Sequence, residues 1–256
     1  MILDATGLEA GHGLDCDTCI VGAGAAGITL ALELAGRGQA VCVLEAGGES
    51  YSAEAQRLLD GTVEADGYPE LRRTRLAALG GTTGVWAGWC RPLDAIDFEE
   101  RAELGKAGWP FGLGDLLPWY RRAHEVIGLG AFEYDPDVWR SRRGDEPLPV
   151  GAGALAHAIF HVRAQRMGEA YRERLRRART VTVLLRAAVT GLDVDEAGAV
   201  RSVTAVDADG RRLAVRARHY VLAAGGVENA RRRKSAPCRS SPTPRARAPC
   251  PPRPSR

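Results

Sequence analysis

Apolar and polar residues alternate along this chain in two rhythms, and the switch between them marks its first element. Residues 19–21 (CIV) are a short unbroken apolar run, the pattern of a strand covered on both faces. After Gly22 the rhythm becomes helical: Thr29, Glu33 and Arg37 recur every fourth residue as one polar stripe. Its flanks are apolar (Ile28, Leu30, Ala31, Leu32, Leu34, Ala35), which predicts a largely buried helix. Gly36 and Gly38 stop that helix, and residues 40–44 form a second apolar strand closed by Glu45. Residues 17–48 thus read as one βαβ unit, preceded over 1–14 by an irregular lead-in.

Downstream the pattern first weakens. Residues 49–70 are polar and sparsely patterned, which fits a loop with a short helix, and 71–79 carries three arginines. Helical spacing returns and runs to about residue 127, with Asp115 as the expected cap and Pro118 in the first turn, where its missing N–H costs little. The pattern lapses over 131–153, which holds Pro136, Pro147 and Pro149, a surface excursion of the kind that covers a ligand. A basic amphipathic helix is expected over 168–179. Strands follow over 181–185, 187–194, 200–206 and 211–217, with Asp209-Gly210 as the hairpin turn between the last two. The run 219–224 (HYVLAA) is a further strand that ends at Gly225-Gly226, and it suggests a return to the same parallel sheet.

At residue 231 the character changes. Residues 231–256 hold seven of the 14 prolines, eight arginines, one lysine and no acid, and they lack Leu, Ile, Val, Phe, Trp and Tyr. A segment that buries so little apolar surface cannot offset the entropy of ordering itself, so a disordered basic tail is expected. The tail carries +9 of a whole-chain net charge of +3, which leaves residues 1–230 acidic at −6. Nucleic acid is not an expected partner, because the basic segment has no aromatic residue for stacking. No apolar run approaches the length of about 18 residues that a membrane span needs. The first 15 residues show no secretory pattern. Six cysteines in 256 residues do not suggest a disulfide scaffold, so a cytoplasmic location is the default.

Two glycine clusters carry the candidate chemistry. Gly22, Gly24 and Gly27 form G-x-G-x-x-G at the first strand–helix junction. Gly22 permits the tight turn, Gly24 lets a pyrophosphate approach the backbone, and Gly27 lets the helix pack on the strand. Phosphates would then lie on the unpaired N–H groups at the positive end of the helix. Glu45, 23 residues after Gly22, can accept hydrogen bonds from a ribose diol. Ala46, Gly47 and Gly48 follow it, and without a nearby cation a 2′-phosphate is disfavoured, which leaves FAD or NAD. In the second cluster, Gly80 and Gly81 precede Thr82 and Thr83, which can offer N–H groups and hydroxyls to a phosphate or flavin ring. Trp86 and Trp89 add flat apolar surface, although a glycine turn with core tryptophans is an equal reading of the same residues.

Three segments together resemble the glucose–methanol–choline family of FAD-dependent oxidoreductases: CIVGAGAAG…VCVLEAGG, LGGTTGVWAG…RPLDAIDF and RARHYVLAAGGVENAR. The resemblance implies that FAD accepts hydride from a carbinol carbon while a base removes the hydroxyl proton. It implies Gly22, Gly24, Ala26 and Gly27 at the pyrophosphate and Glu45 at the adenosine ribose. Gly80, Gly81, Thr82, Thr83, Trp86 and Ala87 would lie along the phosphate and isoalloxazine, and Val189 would meet the adenine through its backbone. The segment around Gly80 is also similar to pyranose oxidases and related sugar dehydrogenases, in which a histidine before the tryptophan can attach flavin covalently. Val85 stands there in this chain, so FAD is expected to be held non-covalently. The family continues past its third motif into an apolar helix, a substrate domain and a catalytic histidine pair or histidine–asparagine pair. Here RRKSAPC and the proline-rich end follow, with the composition of a GC-rich region read out of frame. A reading frame lost near Arg231, no catalytic residue in the chain, and an inactive product are therefore expected.

The expected fold class is α/β: a FAD/NAD(P)-binding Rossmann-like domain over 1–230, with an incomplete substrate region at about 100–165 and the disordered tail after it. The expected function is FAD-dependent oxidation of CH–OH groups, with a small alcohol, sugar or polyol as substrate in full-length relatives. A non-catalytic flavin-binding remnant is the alternative, and an NAD-dependent dehydrogenase a further one that leaves the Gly80 cluster unexplained. Cys16-x-x-Cys19 reads as packing, because its second cysteine lies within a strand. His157 and His161 would share a helix face but lack a third ligand, and His12, His124 and His219 are isolated, so no metal is expected.

Overall fold

The computed structural model describes residues 1–9, 11, 13–64, 67–144 and 155–235. Strand β1 (Ile2–Asp4) and strand β2 (Gly13–Val21) lead into helix α1 (Ala25–Ala35), strand β3 (Val41–Leu44) and the short helix α2 (Ala53–Arg57). Strand β4 (Trp89–Cys90), helix α3 (Leu113–Ile127), helix α4 (Pro136–Arg143) and strand β5 (His161–Val162) make up the middle of the chain. Helix α5 (Met167–Arg177) then precedes strands β6 (Val181–Leu185), β7 (Ala188–Val194), β8 (Val200–Val206) and β9 (Arg212–Leu222), and helix α6 (Gly226–Ser235) follows them.

Among the described residues, seven strands form one sheet in the order β1-β6-β3-β2-β9-β8-β7. It is parallel from β1 to β9 and antiparallel from β9 to β7, while β4 and β5 form a separate antiparallel pair. Alternate residues of the central strands feed two cores. On one side Ile20, Val43 and Val183 pack with Ile28 and Ala31 of α1 and with Met167 and Leu175 of α5. On the other, Cys19, Val21, Cys42 and Leu44 pack with Val189, Val203, Ala205 and Val215 of the antiparallel strands. The result is a mixed α/β fold whose parallel centre is covered on both faces, which is why β3 is apolar throughout.

The structure corrects several boundaries. The lead-in is not irregular, since β1 pairs with β6 and β2 already begins at Gly13. The strands expected at 211–217 and 219–224 are one eleven-residue strand, β9. The ladder with β2 carries it through Arg216 and Arg218, whose exposed side chains meet Asp15 and Asp17 of that strand at 3.0 and 3.6 Å. Helix α1 is less buried than its sequence suggests: Gly27, Ile28 and Ala31 are covered, while Leu30, Leu32 and Leu34 are half-buried. Asp115 does not cap α3. It is the third helical residue and accepts the Gly112 N–H at 2.9 Å, so Pro118 falls in the second turn. The excursion at 131–153 contains α4, which Asp135 caps by accepting the Asp137 N–H at 2.8 Å; residues 145–154 lie outside the described residues. Residues 231–235, expected to open the disordered tail, complete α6, and 236–256 lie outside the described residues, as does His12.

Candidate cofactor site

β2 and β9 are adjacent and parallel, with β3 and β6 on one side of the pair and β8 and β7 on the other. The strand order therefore reverses between them, and such a switch point opens a crevice beyond the carboxyl ends of the strands. The crevice is a cleft of ≈ 1080 Å³. Its floor is the turn from β2 into α1. There Gly22 has φ +104°, and a Cβ on it would stand 2.7 Å from the Ala223 carbonyl oxygen on the β9 side. A Cβ on Gly27 would lie 2.0 Å from the Gly22 carbonyl oxygen, so Gly27 acts behind the cleft, letting α1 close on the turn. Gly24 differs. A Cβ there would meet no heavy atom within 4 Å, and Gly24, Ala25 and Ala26 all line the cleft. Gly24 also stands at the N-cap of α1 without a side chain to bond the first-turn N–H groups, which leaves a cradle suited to an anion.

The second glycine cluster is built directly onto the first. The Gly80 N–H donates to the Ala23 carbonyl oxygen at 2.8 Å, Gly24 and Gly80 form a parallel bridge, and Gly48 and Ala78 form another. A Cβ on Gly81 would lie 3.0 Å from Gly24 Cα. Gly80 itself, at φ +94°, packs against Gly168 of α5, where a Cβ would come within 2.4 Å of a backbone nitrogen. Thr83 is buried; its hydroxyl donates to the Gly80 carbonyl oxygen at 2.6 Å and accepts the Met167 N–H at 3.1 Å, which pins the start of α5. Gly81, Thr82 and Thr83 line the cleft, whereas Gly80 sits behind it.

Glu45, at the end of β3, lines the same cleft and is buried. Its carboxylate oxygens accept the Ala23 and Gly47 N–H groups, each at 2.9 Å, tying the end of β3 to the glycine turn. Burial pushes its carboxyl above the usual range, and bonds from the Gly47, Ala23 and Ala46 N–H groups pull the other way. Val189 of β7 lines the cleft as well. Trp86 and Ala87 are not brought into its lining: the Trp86 indole N–H donates to the Gln165 carbonyl oxygen at 3.1 Å, and Ala87 is exposed. Trp89 is not a core residue either, being 65% exposed against Phe160.

Three residues not singled out in the sequence also belong here. Asn229 accepts the Ala224 N–H at 3.0 Å and donates to the Leu222 carbonyl oxygen at 3.1 Å, stapling the turn between β9 and α6. Arg75 and Glu228 form an ion pair of 2.9 Å in the cleft wall. The motif VEN after Gly225-Gly226 was the available signal for two of the three.

The other candidates resolve into packing. Burial pushes the Cys19 thiol up to about 12, the opposite of an activated thiolate. His157 is exposed in a loop and His161 lies in β5, so no helix face joins them. His124 is not isolated: its Nε2 is 2.8 Å from the Tyr134 hydroxyl, and its ring lies 5.1 Å from that of His161. Among the described residues no cluster of three or more ligating side chains could hold a metal.

An anion cradle at a helix N-terminus, a buried carboxylate near it and apolar walls suit a dinucleotide, and the added Gly80 segment suits FAD. The family model of FAD dependent oxidoreductases matches residues 17–244, and the chain belongs to that family; FAD is its cofactor. No curated protein matches the sequence. Among solved structures the chain is similar to pyridoxine 4-oxidase from Mesorbium loti, with a TM-score of 0.54 at 23% identity over 84% of this chain and 50% of that one. It is also similar to a formate oxidase from Aspergillus oryzae RIB40, with a TM-score of 0.52 at 19% identity over 85% and 46%. The chain thus spans about half the length of these structures, and the likeness is one of fold. Among the described residues no helix is long and apolar enough to cross a membrane.

Proposed function

We propose that this chain is the FAD-holding part of an oxidoreductase of the glucose–methanol–choline type, acting on CH–OH groups of alcohols, sugars or polyols. The observation that carries the reading is the bond from the Gly80 N–H to the Ala23 carbonyl oxygen, with Gly81 against Gly24 beside it. A nicotinamide site needs only the first glycine turn, and here a second is joined to it. FAD, when bound, supplies the hydride acceptor. Gly24, Ala26 and the N–H groups opening α1 hold its pyrophosphate on the side of Gly24 that is open. Glu45 accepts backbone N–H groups on both oxygens, which orients its remaining lone pairs for ribose hydroxyls. Val189 flanks the adenine, Gly81, Thr82 and Thr83 follow the phosphate toward the ring, and Trp86 and Ala87 lie further out. Gly22 turns the chain at the cleft floor, and Gly27 and Gly80 shape the turn from behind. Val85, 56% exposed beside Trp86, offers no nucleophilic nitrogen, so the cofactor is held non-covalently.

By itself the chain binds FAD without turning over an alcohol. The titratable residues that line the cleft, among those described, are Glu45, Tyr68, Arg75, Glu228 and Arg231, with no imidazole among them. Glu45 and Glu228 already accept from backbone and guanidinium donors. The four described cysteines Cys16, Cys19, Cys42 and Cys90 are free thiols, which suits a reducing cytoplasm. The test is to load the purified chain with FAD and supply alcohols, aldoses and an artificial electron acceptor. Flavin that co-elutes with the protein and no acceptor reduction is the expected result. Reduction of the acceptor overturns the inactivity, and a chain that retains no FAD overturns the holding role.

A further inference from the structure

Resting on that holding role, we infer that Arg75 and Glu228 are a positioning pair that clamps the two walls of the cofactor cleft at the width FAD requires. The residues are 153 positions apart, and both line the cleft. Arg75 Nη1 donates to Glu228 Oε1 at 2.9 Å, with side chains only 16% and 11% exposed. The same guanidinium donates from Nη2 to the Leu59 carbonyl oxygen at 2.7 Å and from Nε to the Leu71 carbonyl oxygen at 3.2 Å. One side chain thus joins the loop after α2, the turn at Leu71–Arg73 and the first turn of α6.

Both partners stand on fixed backbone. Gln56 is buried and its amide donates to the carbonyl oxygens of Arg72 and Arg75 and accepts the Ala77 N–H at 3.2 Å. Asn229, next to Glu228, staples the start of α6 to the end of β9. Between these anchored walls the ion pair spans the gap. Arg75 lies five residues before Gly80, and Leu76 and Ala77, which line the cleft, connect the two. A shift of Arg75 therefore moves the segment that meets Gly24. Arg231 donates to the other oxygen of Glu228 at 2.9 Å, so two guanidiniums hold one carboxylate in the wall. Burial raises the Glu228 carboxyl, but the bonds and charges of Arg75 and Arg231 outweigh it and hold the group below the usual range, ionised at neutral pH. Stability alone would be served as well by apolar packing, since a buried pair gains little over hydrophobic residues of the same volume.

The test is a double-mutant cycle on FAD affinity, read by flavin fluorescence quenching at a temperature where circular dichroism shows every variant folded. Arg75→Gln, Glu228→Gln and the double variant are compared with the wild type; Glu228→Gln keeps the shape of the side chain and guards against a variant that fails to fold. If the wall holds its place only about a tenth of the time without the clamp, each single change weakens FAD binding about tenfold, because apparent affinity scales with the competent fraction. The double variant should match the singles within about twofold, the mark of residues acting as one unit. Unchanged affinity in the single variants, or losses that multiply to about a hundredfold in the double, overturns the inference while FAD holding stands. A wild-type chain that takes up no FAD overturns both.

Discussion

Gly24→Ala separates an effect on the cofactor from an effect on the fold. Gly24 has φ −77° and ψ −172°, a conformation open to any residue, and its Cβ would meet nothing within 4 Å. Without cofactor the substitution therefore creates no clash. It restricts the unfolded chain, worth about 0.4–1 kcal/mol, but puts alanine where glycine is the better N-cap of α1, a loss of similar size, so the two nearly cancel. At about 2–4 °C per kcal/mol for a chain approaching this size, the melting temperature should stay within roughly 4 °C of wild type. With FAD the added methyl stands on the open side of Gly24, where the pyrophosphate is proposed to lie. Overpacking of that order costs about 1–3 kcal/mol, which weakens binding by roughly 5- to 150-fold. Thermal melts of cofactor-free protein and a fluorescence titration with FAD measure the two effects separately. Unaltered affinity would refute the placement of the phosphate, and a cofactor-free melting temperature lower by well over about 4 °C would refute the open space at Gly24.

Gly27→Ala should behave in the reverse way. Its Cβ would lie 2.0 Å from the Gly22 carbonyl oxygen, and since both partners are backbone no rotamer change relieves the contact. The gain of about 1 kcal/mol in helix propensity is outweighed by separating α1 from β2, at a net cost of about 3 kcal/mol or more; denaturant melts as stable as wild type would contradict this. For Glu45 the prediction concerns pH. Burial raises its folded pKa, so its favourable contribution to folding is complete below the unfolded value of 4.5 and is lost as pH rises through the folded one. Glu45→Gln, which resembles the protonated acid and does not titrate, should gain melting temperature relative to wild type as pH rises from about 4 to 8. A wild type that gains on the variant over this range would show the opposite electrostatics.

The residues that line the cleft near α1 were more legible in the sequence than the strand boundaries, and the difference is one of range. Gly22, Gly24, Gly27 and Glu45 announce themselves because strand, turn, helix and acid follow within thirty residues, where spacing is informative. The single strand β9 looked like two because Arg216, Arg218 and His219 interrupt its apolar run. The strand that pairs with them, β2, lies about two hundred positions earlier and brings Asp15 and Asp17 to two of them. Arg75 was illegible for the same reason, an unremarkable charge until the fold brings it to 2.9 Å from Glu228, and the VEN motif could mark Glu228 but not its partner. The error at Asp115 is local and different in kind: its carboxylate bonds a cap residue from the third helical position, which shifts the start of α3 without altering its direction. Trp86 and Ala87, which the resemblance sets along the isoalloxazine, do not line the cleft.

The central claim is that two glycine clusters form one cradle for one FAD, and amide chemical shifts test it most directly. In nitrogen–proton correlation spectra recorded during a titration with FAD, the signals of Gly24, Ala25 and Ala26 should move together with those of Gly81, Thr82 and Thr83. One midpoint should describe all six at a stoichiometry of one. Movement confined to a single cluster, or none in either, would contradict the account.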